Sequence, residues 1–345
     1  MRLVTTNLTY KDVQPKLKSL VNLLFQKVPA GVGCKGFVNI NQQQFKDVMT
    51  EGVNWCIENG YGWEEDAKRI EEHGRIEGAD PGNVSKKAYA RGIGQLGTLG
   101  SGNHYLEIQV VKAKNIFEPE IAKKLGIFTN EQVVIMVHCG SRGFGHQIGT
   151  DYLNIFLDVM KRENLEIKDR ELACAPYRCK EAQDYYSAMV CAANTAFVNR
   201  QVILHRIRES FSEVFRQSPE SLDMHMVYDV AHNIAKIEKH KIDGERKRVI
   251  VHRKGATRSF PPGHEELADI YKDIGQPVII GGSMETGSYL LVGTETSMDE
   301  TFGSTAHGSG RTMSRAQAKH QVRGDRLQRE MEQRGIYVRL HQCLA

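Results

Sequence analysis

Four histidines stand beside glycine or asparagine where strand-like runs begin or end. They occur in the strings GSGNHYLE, VHCGSRG, VAHNIAK and STAHGSGR, as His104, His138, His232 and His307. A strand end fixes a side chain at a defined point above a sheet, and the glycines let a phosphate approach backbone N–H groups. This arrangement predicts a mixed α/β (α+β) fold whose site lies on loops at strand ends.

Hydrophobic periodicity assigns the remaining elements. It predicts a helix around Leu17–Leu24, a second helix from Phe45 through Val53 that ends at Gly60, and a long helix from about Lys180 to Gln217. The rest of the first third also has a helical pattern. The predicted strands are YLEIQVV, QVVIMVH, MHMVYDV, RVIVH and QPVII. No linker composition separates these segments, so residues 1–345 are predicted to form a single domain.

Composition narrows the class of protein without naming a partner. Of 345 residues, 40% are hydrophobic and 26% are charged, which is typical of a soluble globular protein. The net charge of +4 permits a polyanionic partner but does not require one. No apolar run reaches the length of a membrane span, and the first residues lack a signal-peptide stretch. The seven scattered cysteines are typical of free thiols in a reducing compartment, cytoplasmic or nuclear.

The histidines can be interpreted in two ways. Imidazole binds divalent metals and is a competent nucleophile towards phosphorus. A single histidine at a strand end is more often a structural hydrogen-bonding group, but four in the same setting favour metal and phosphate chemistry. His252, which opens the loop HRKGATRSF, is predicted to be structural.

Basic residues and serines lie in the same loops. Arg142, Lys254 and Arg315 could bind phosphate oxygens, or they could be ordinary solvated charges. Ser283 and Ser288 flank a loop in the string GGSMETGSYLL, which could hold a nucleotide or form a simple turn between strands.

Six long strings together resemble the RtcB RNA ligase family. They are QLGTLGSGNHYLEIQVV, VHCGSRGFGHQIGTD, YDVAHNIAKIEKH, VHRKGATRSFPPGH, QPVIIGGSMETGSYLL and TFGSTAHGSGRTMSRAQA, and they follow the family's order along nearly the whole chain. The string LACAPYRCKEAQDYY resembles the eukaryotic branch.

The resemblance implies a reaction and its residues. The family joins an RNA 3′-phosphate, or a 2′,3′-cyclic phosphate after hydrolysis, to a 5′-hydroxyl end through a histidine–GMP intermediate, using GTP and two Mn²⁺ ions. His307 matches the nucleophile. The matching metal ligands are His104, His138 and His232, and the residues that match RNA phosphate contacts are Arg142, Lys254 and Arg315. Positions that match nucleotide contacts are Asn103, His104, Tyr105, Leu106, Glu107, His232, Asn233, Gly281, Gly282, Ser283, Met284, Ser288, His307, Gly308, Ser309 and Gly310. The implied partners are tRNA exon halves, archease and a helicase-containing tRNA ligase complex.

The sequence departs from the family pattern in three places. The family's Asp-x-x-Cys-Gly motif, whose cysteine bridges the two metals, would precede Met1, and its terminal lysine segment would follow Ala345; both are expected to be truncated here. Glu285 stands where a glycine is usual. The activity of the chain itself therefore stays open. The alternatives are a catalytically silent RNA- or partner-binding fragment of the same fold, and a metal-dependent phosphohydrolase.

Overall fold

A computed structural model describes residues 1–308, 310, 317 and 324–339. The chain forms two compact units. The first unit comprises Met1–Lys27, Glu107–Met136 and the described part of Ile207–Ala345; the second comprises Val28–Leu106 and Val137–Arg206. The chain changes unit inside strands and a helix as well as in a loop, which explains why the sequence shows no linker. The assignment of one family domain to residues 1–345 stays a prediction.

A four-stranded sheet forms part of the first unit. Its strands lie in the order β2-β3-β1-β4. They are β1 (Arg2–Thr9), β2 (Tyr105–Val110), β3 (Gln132–His138) and β4 (Met226–Asp229). Every residue of β3 is buried. Arg2 pairs with Asp229 across β1 and β4 at 2.7 Å, and both side chains are fully buried. A charged residue at the start of a buried strand is therefore compensated within the sheet.

A long antiparallel hairpin follows β4. Strand β5 (Asn233–Ile242) pairs with β6 (Glu245–Lys254) in continuous register. The turn residues Asp243 and Gly244 have φ values of 53° and 84°. Asp-Gly with positive φ at both positions is a favoured connection of two-residue hairpins. Two further antiparallel pairs are formed by β7 (Ala256–Arg258) with β10 (Ser304–Ala306), and by β8 (Pro277–Ile280) with β9 (Tyr289–Val292).

Helices account for most of the second unit. In chain order, the α-helices with described bounds are α1 (Tyr10–Val13), α2 (Leu17–Lys27), α3 (Gln42–Glu51), α4 (Val53–Glu58), α5 (Glu64–Lys68), α6 (Lys86–Gly92), α7 (Pro119–Lys124), α8 (Arg142–Arg162), α9 (Lys180–Phe215), α10 (Glu295–Thr301) and α11 (Gly324–Gln333). In the core of the second unit, Phe45 of α3 packs edge-to-face on Phe144 of α8, with ring centroids 5.1 Å apart. Among the described residues, no helix is both long and apolar enough to cross a bilayer.

The structure confirms the mixed fold class and corrects several elements. The helices predicted at Leu17–Leu24 and Lys180–Gln217 are α2 and α9. The second predicted helix is wrong as one element, because Gly52, with φ of 58°, separates α3 from α4. A Cβ at Gly52 would lie 2.2 Å from the carbonyl oxygen of Gly74, so this break depends on glycine. Strands β1 and β5 were not predicted, because five of the eight residues of β1 and six of the ten residues of β5 are polar or charged and mask the strand pattern.

Candidate functional site

His104 and His138 are brought together by a pair of strands. The N–H of Val111, just after β2, donates to the carbonyl of Gln132 at the start of β3, at 2.9 Å. The start of β2 therefore lies beside the end of β3, where the ring of Tyr105 contacts that of His138 at 5.3 Å between centroids. The rings of His104 and His138 have centroids 5.7 Å apart and planes at 68°. These two side chains, which were predicted from separate motifs to bind metal, therefore lie next to each other in the fold.

The glycine-rich loop before His104 fits closely around its ring. A Cβ at Gly100 would lie 1.6 Å from Nδ1 of His104 and 2.4 Å from Nη1 of Arg142. Arg142 has φ of 60° and donates from Nε to Thr98 Oγ1 at 3.0 Å and from Nη2 to the Gly31 carbonyl at 2.7 Å. Burial lowers the pKa of the Arg142 guanidinium. Arg142 therefore supports this loop from a half-buried position.

Cys139 follows His138 but is enclosed by the protein. Its thiol donates to the carbonyl of Thr98 at 3.3 Å, and Nδ2 of Asn199 lies 3.3 Å from its sulfur. Burial raises the pKa of the Cys139 thiol. These contacts indicate a structural thiol.

His232 and His307 form a second pair, inside the first unit. Their rings stack at 4.4 Å between centroids with planes 5° from parallel. Gly255 connects their backbones, since its N–H donates to the carbonyl of His232 at 2.9 Å and its carbonyl accepts from the N–H of His307 at 3.4 Å. The carbonyl of His307 accepts from the N–H of Gly281 at 3.0 Å. The backbone of His307 is thus held from both sides.

The segment after β8 folds into a tight turn. The N–H of Gly282 donates to Ser288 Oγ at 3.2 Å, and the N–H of Gly287 donates to the carbonyl of Ser283 at 2.9 Å. Gly281 also forms a parallel bridge with Gly308, which follows His307 in the chain. Glu285 at the exposed tip forms an ion pair with Arg334. The predicted nucleotide loop and the predicted nucleophile are therefore neighbours in the first unit.

Glu107 is connected to this turn through Gln109. Nε2 of Gln109 donates to a carboxylate oxygen of Glu107 at 2.7 Å and lies 3.2 Å from Ser288 Oγ. Burial raises the pKa of Glu107, and the hydrogen bond from Gln109 partly opposes that shift. Sequence reasoning missed Gln109, although its position two residues after Glu107 on β2 puts both side chains on one face of the strand.

The other predicted contact residues differ in setting. Lys254 is exposed at the end of β6, opposite Asn233 of β5. Asn103 and Met284 are exposed, and Leu106 is half-buried on β2. Gly310 is exposed, whereas Ser309 and Arg315 lie outside the described residues. Gly255 was not predicted as part of the site. It lies between β6, which pairs with the strand that follows His232, and β7, which pairs with the strand that precedes His307.

Comparison with known proteins identifies the family. The family described as "tRNA-splicing ligase RtcB" matches residues 1–343. A protein of that name from Pyrococcus abyssi is 58% identical over 98% of this chain and 37% of its own length. Those from Thermococcus kodakarensis and Archaeoglobus fulgidus are 54% and 51% identical over 98% of this chain and 70% of their own lengths.

These relatives are archaeal, and the chain spans well under half the length of the Pyrococcus abyssi protein. The resemblance to the eukaryotic branch stays a prediction. The match extends through all six sequence strings and through the strands and turns that hold the four histidines. The chain therefore belongs to the family of the tRNA-splicing ligase RtcB.

Proposed function

We propose that the chain is an RNA ligase that joins RNA 3′-phosphate or 2′,3′-cyclic phosphate ends to 5′-hydroxyl ends, as in tRNA splicing. One observation carries the proposal: the backbone of His307 is held between Gly255 and Gly281, beside the glycine-rich turn that ends at Ser288. A nucleophilic histidine needs a fixed backbone, which these hydrogen bonds support, and the neighbouring glycines add no side chain that would obstruct a phosphate.

The proposed reaction has three steps. A ring nitrogen of His307 attacks the α-phosphorus of GTP, forming an N–P bond as pyrophosphate leaves. An oxygen of the RNA 3′-phosphate then attacks the same phosphorus and breaks the N–P bond, which attaches GMP to the RNA end. The 5′-hydroxyl of the second RNA finally attacks the RNA 3′-phosphate, losing its proton as GMP leaves. Attachment of GMP converts a poor leaving group into a good one.

The donor set fits a divalent metal, and we propose His104, His138 and His232 as ligands. Neutral imidazoles bind first-row divalent ions, and two of these three rings already lie 5.7 Å apart in the second unit. Manganese, when bound, would offset the charge that develops on phosphate oxygens. The chain's own residues orient those rings: Gly100 leaves room for His104, and β3 presents His138 at its end.

The nucleotide is assigned to the positions that match the family's nucleotide contacts. The carboxylate of Glu107 can accept two N–H groups from the edge of guanine, whereas adenine offers one donor there. Gln109 fixes the orientation of that carboxylate. Asn233, Ser283 and the backbone around Gly308 are proposed to contact the phosphates and ribose, together with the other positions that match the family's contacts.

RNA phosphates are assigned to Lys254, Arg142 and Arg315, and the structure distinguishes the first two. Lys254 is exposed, while Arg142 already donates to Thr98 and Gly31. Lys254→Ala should weaken RNA binding and reduce the slope of log affinity against log salt by about one. Through the family, tRNA exon halves, archease and a helicase-containing complex are the proposed partners.

A ligation assay tests the proposed function. Two RNAs, one ending in a 3′-phosphate and the other beginning with a 5′-hydroxyl, are incubated with the chain, GTP and Mn²⁺. Joined product that disappears in His307→Ala supports the proposal. RNA binding without joined product favours the catalytically silent alternative. Release of inorganic phosphate from the 3′ end, without joining, favours a phosphohydrolase.

A further inference from the structure

A buried ionic cluster lies between the long hairpin and the segment that leads to His307. Arg253, the penultimate residue of β6, donates from Nη1 and Nη2 to the two carboxylate oxygens of Glu238 on β5, at 2.5 Å and 2.8 Å. His240 lies 2.9 Å from the same carboxylate. All three residues are almost fully buried. The ion pair of Arg253 with Glu238 is bidentate, and its geometry fixes the plane of the guanidinium.

The guanidinium of Arg253 also holds the turn that follows α10. Its Nη2 donates to the carbonyl of Phe302 at 3.0 Å, and its Nε donates to Ser304 Oγ at 2.9 Å. Phe302 has φ of 53° and Gly303 has φ of 58°. A non-glycine residue in the left-handed region costs on the order of 1–2 kcal/mol, so this turn requires support from its surroundings.

The supported turn sets the path of β10. Its three residues pair with β7 in the register Ser304–Arg258, Thr305–Thr257 and Ala306–Ala256. His307 is the next residue. A change in the backbone direction at Phe302 would therefore displace β10 and, at its end, the His307 ring that stacks on His232.

We propose that Arg253, fixed by Glu238 and His240, is a positioning residue for His307. Stability alone does not explain the cluster, because a buried ion pair is often no better than well-packed apolar residues of the same volume. A planar group with five N–H donors can, however, bind a carboxylate and two acceptors on a turn at the same time. The inference rests on the proposed role of His307, but its structural part can be measured independently.

Arg253→Lys is the principal variant, since lysine keeps the charge beside Glu238 and loses the planar set of donors. Arg208→Lys is the matched control; Arg208 is also buried and donates to the carbonyl of Met224, away from β10. The first readout is hydrogen–deuterium exchange of the amides in residues 302–307. We expect exchange there to rise about tenfold in Arg253→Lys and to match wild type in Arg208→Lys.

The second readout is the rate at which radiolabelled GTP labels the chain. Because a displacement of about 1 Å can cost on the order of 100-fold in rate, Arg253→Lys should label ~10- to 100-fold more slowly with its KM for GTP unchanged. Ser304→Ala removes one acceptor of Arg253 and leaves the ion pair intact, so it should shift both readouts in the same direction by a smaller factor. This second variant keeps the test valid should Arg253→Lys fail to fold.

Unchanged exchange at residues 302–307 in the folded variants would overturn the positioning role, and so would an increase spread evenly over the chain. A change in KM with no change in labelling rate would also overturn it. Absence of label from the wild-type chain would instead contradict the proposed function, while the exchange measurement would still decide the role of Arg253.

Discussion

The imidazole rings of His232 and His307 stack at 4.4 Å between centroids, with their planes 5° from parallel. Gly255 sets this relationship, because its N–H and carbonyl bind the backbones of the two histidines. Gly255 has φ of 68°, and a Cβ there would lie 3.5 Å from Cε1 of His307. One glycine therefore fixes two residues that come from separate sequence motifs.

Gly255→Ala should impair the site more than it impairs the fold. Backbone strain should cost about 1 kcal/mol of unfolding free energy, which urea titration measures. Gly244→Ala is the control, because φ there is 84° and a Cβ would meet no atom within 4 Å. Both variants should lose similar stability, but only Gly255→Ala should slow labelling of His307. Equal labelling rates in the two variants would contradict the role given to Gly255.

Gly100→Ala should weaken manganese binding. The added methyl group would overlap Nδ1 of His104 and Nη1 of Arg142, so the ring of His104 must move. Displacement of an oriented ligand typically costs ~10- to 100-fold in metal affinity. Free Mn²⁺ is measured by electron paramagnetic resonance, with Gly94→Ala as the control because a Cβ there would contact nothing within 4 Å. Equal affinities for the two variants would remove His104 from the proposed ligands.

Glu238 should make the free energy of unfolding depend on pH. Burial alone would raise the pKa of Glu238, but hydrogen bonds from Arg253 and His240 and the charge of Arg253 hold that pKa below 4.5. A carboxyl whose pKa is lower in the folded state contributes stability above its unfolded pKa and loses that contribution as the pH falls through the folded pKa.

Glu238→Gln should therefore lose about 3–5 kcal/mol at neutral pH, because the charge of Arg253 is then buried without compensation. The difference in unfolding free energy between wild type and variant should narrow as the pH falls below 4.5. Urea unfolding across this range measures both quantities. A gap that stays constant or widens in acid would contradict the ionised pair.

Glu285 should have little effect on nucleotide binding while Arg334 is present. The pair is more than half exposed, with side chains 58% and 60% accessible, so its coupling should be below about 1 kcal/mol. Arg334→Ala should raise the KM for GTP by leaving Glu285 uncompensated, and adding Glu285→Gly should reverse that increase. A double-mutant cycle in KM with no coupling would show that Glu285 faces away from the nucleotide.

The sequence predicted the elements with strong periodicity and the residues that belong to long motifs. β3 and α9 follow from apolar runs, and all four motif histidines lie at or beside strand ends. It could not predict β1 or β5, because Arg2 and Glu238 suggest exposed positions until their buried partners are known. Nor could it predict the contacts of Gln109 or Arg253, since those depend on pairing between distant segments.

Radiolabel transfer from GTP to the chain tests whether His307 is the nucleophile. In the presence of Mn²⁺, label from the α-phosphate should attach to the chain through a phosphoramidate, which is labile in acid and relatively stable in alkali. His307→Ala should abolish the label, while His252→Ala, which changes an exposed histidine on β6, should leave it largely intact. Peptide mapping should place the label on His307. Label that survives His307→Ala, or label that is stable in acid, would show that GMP is not attached to His307.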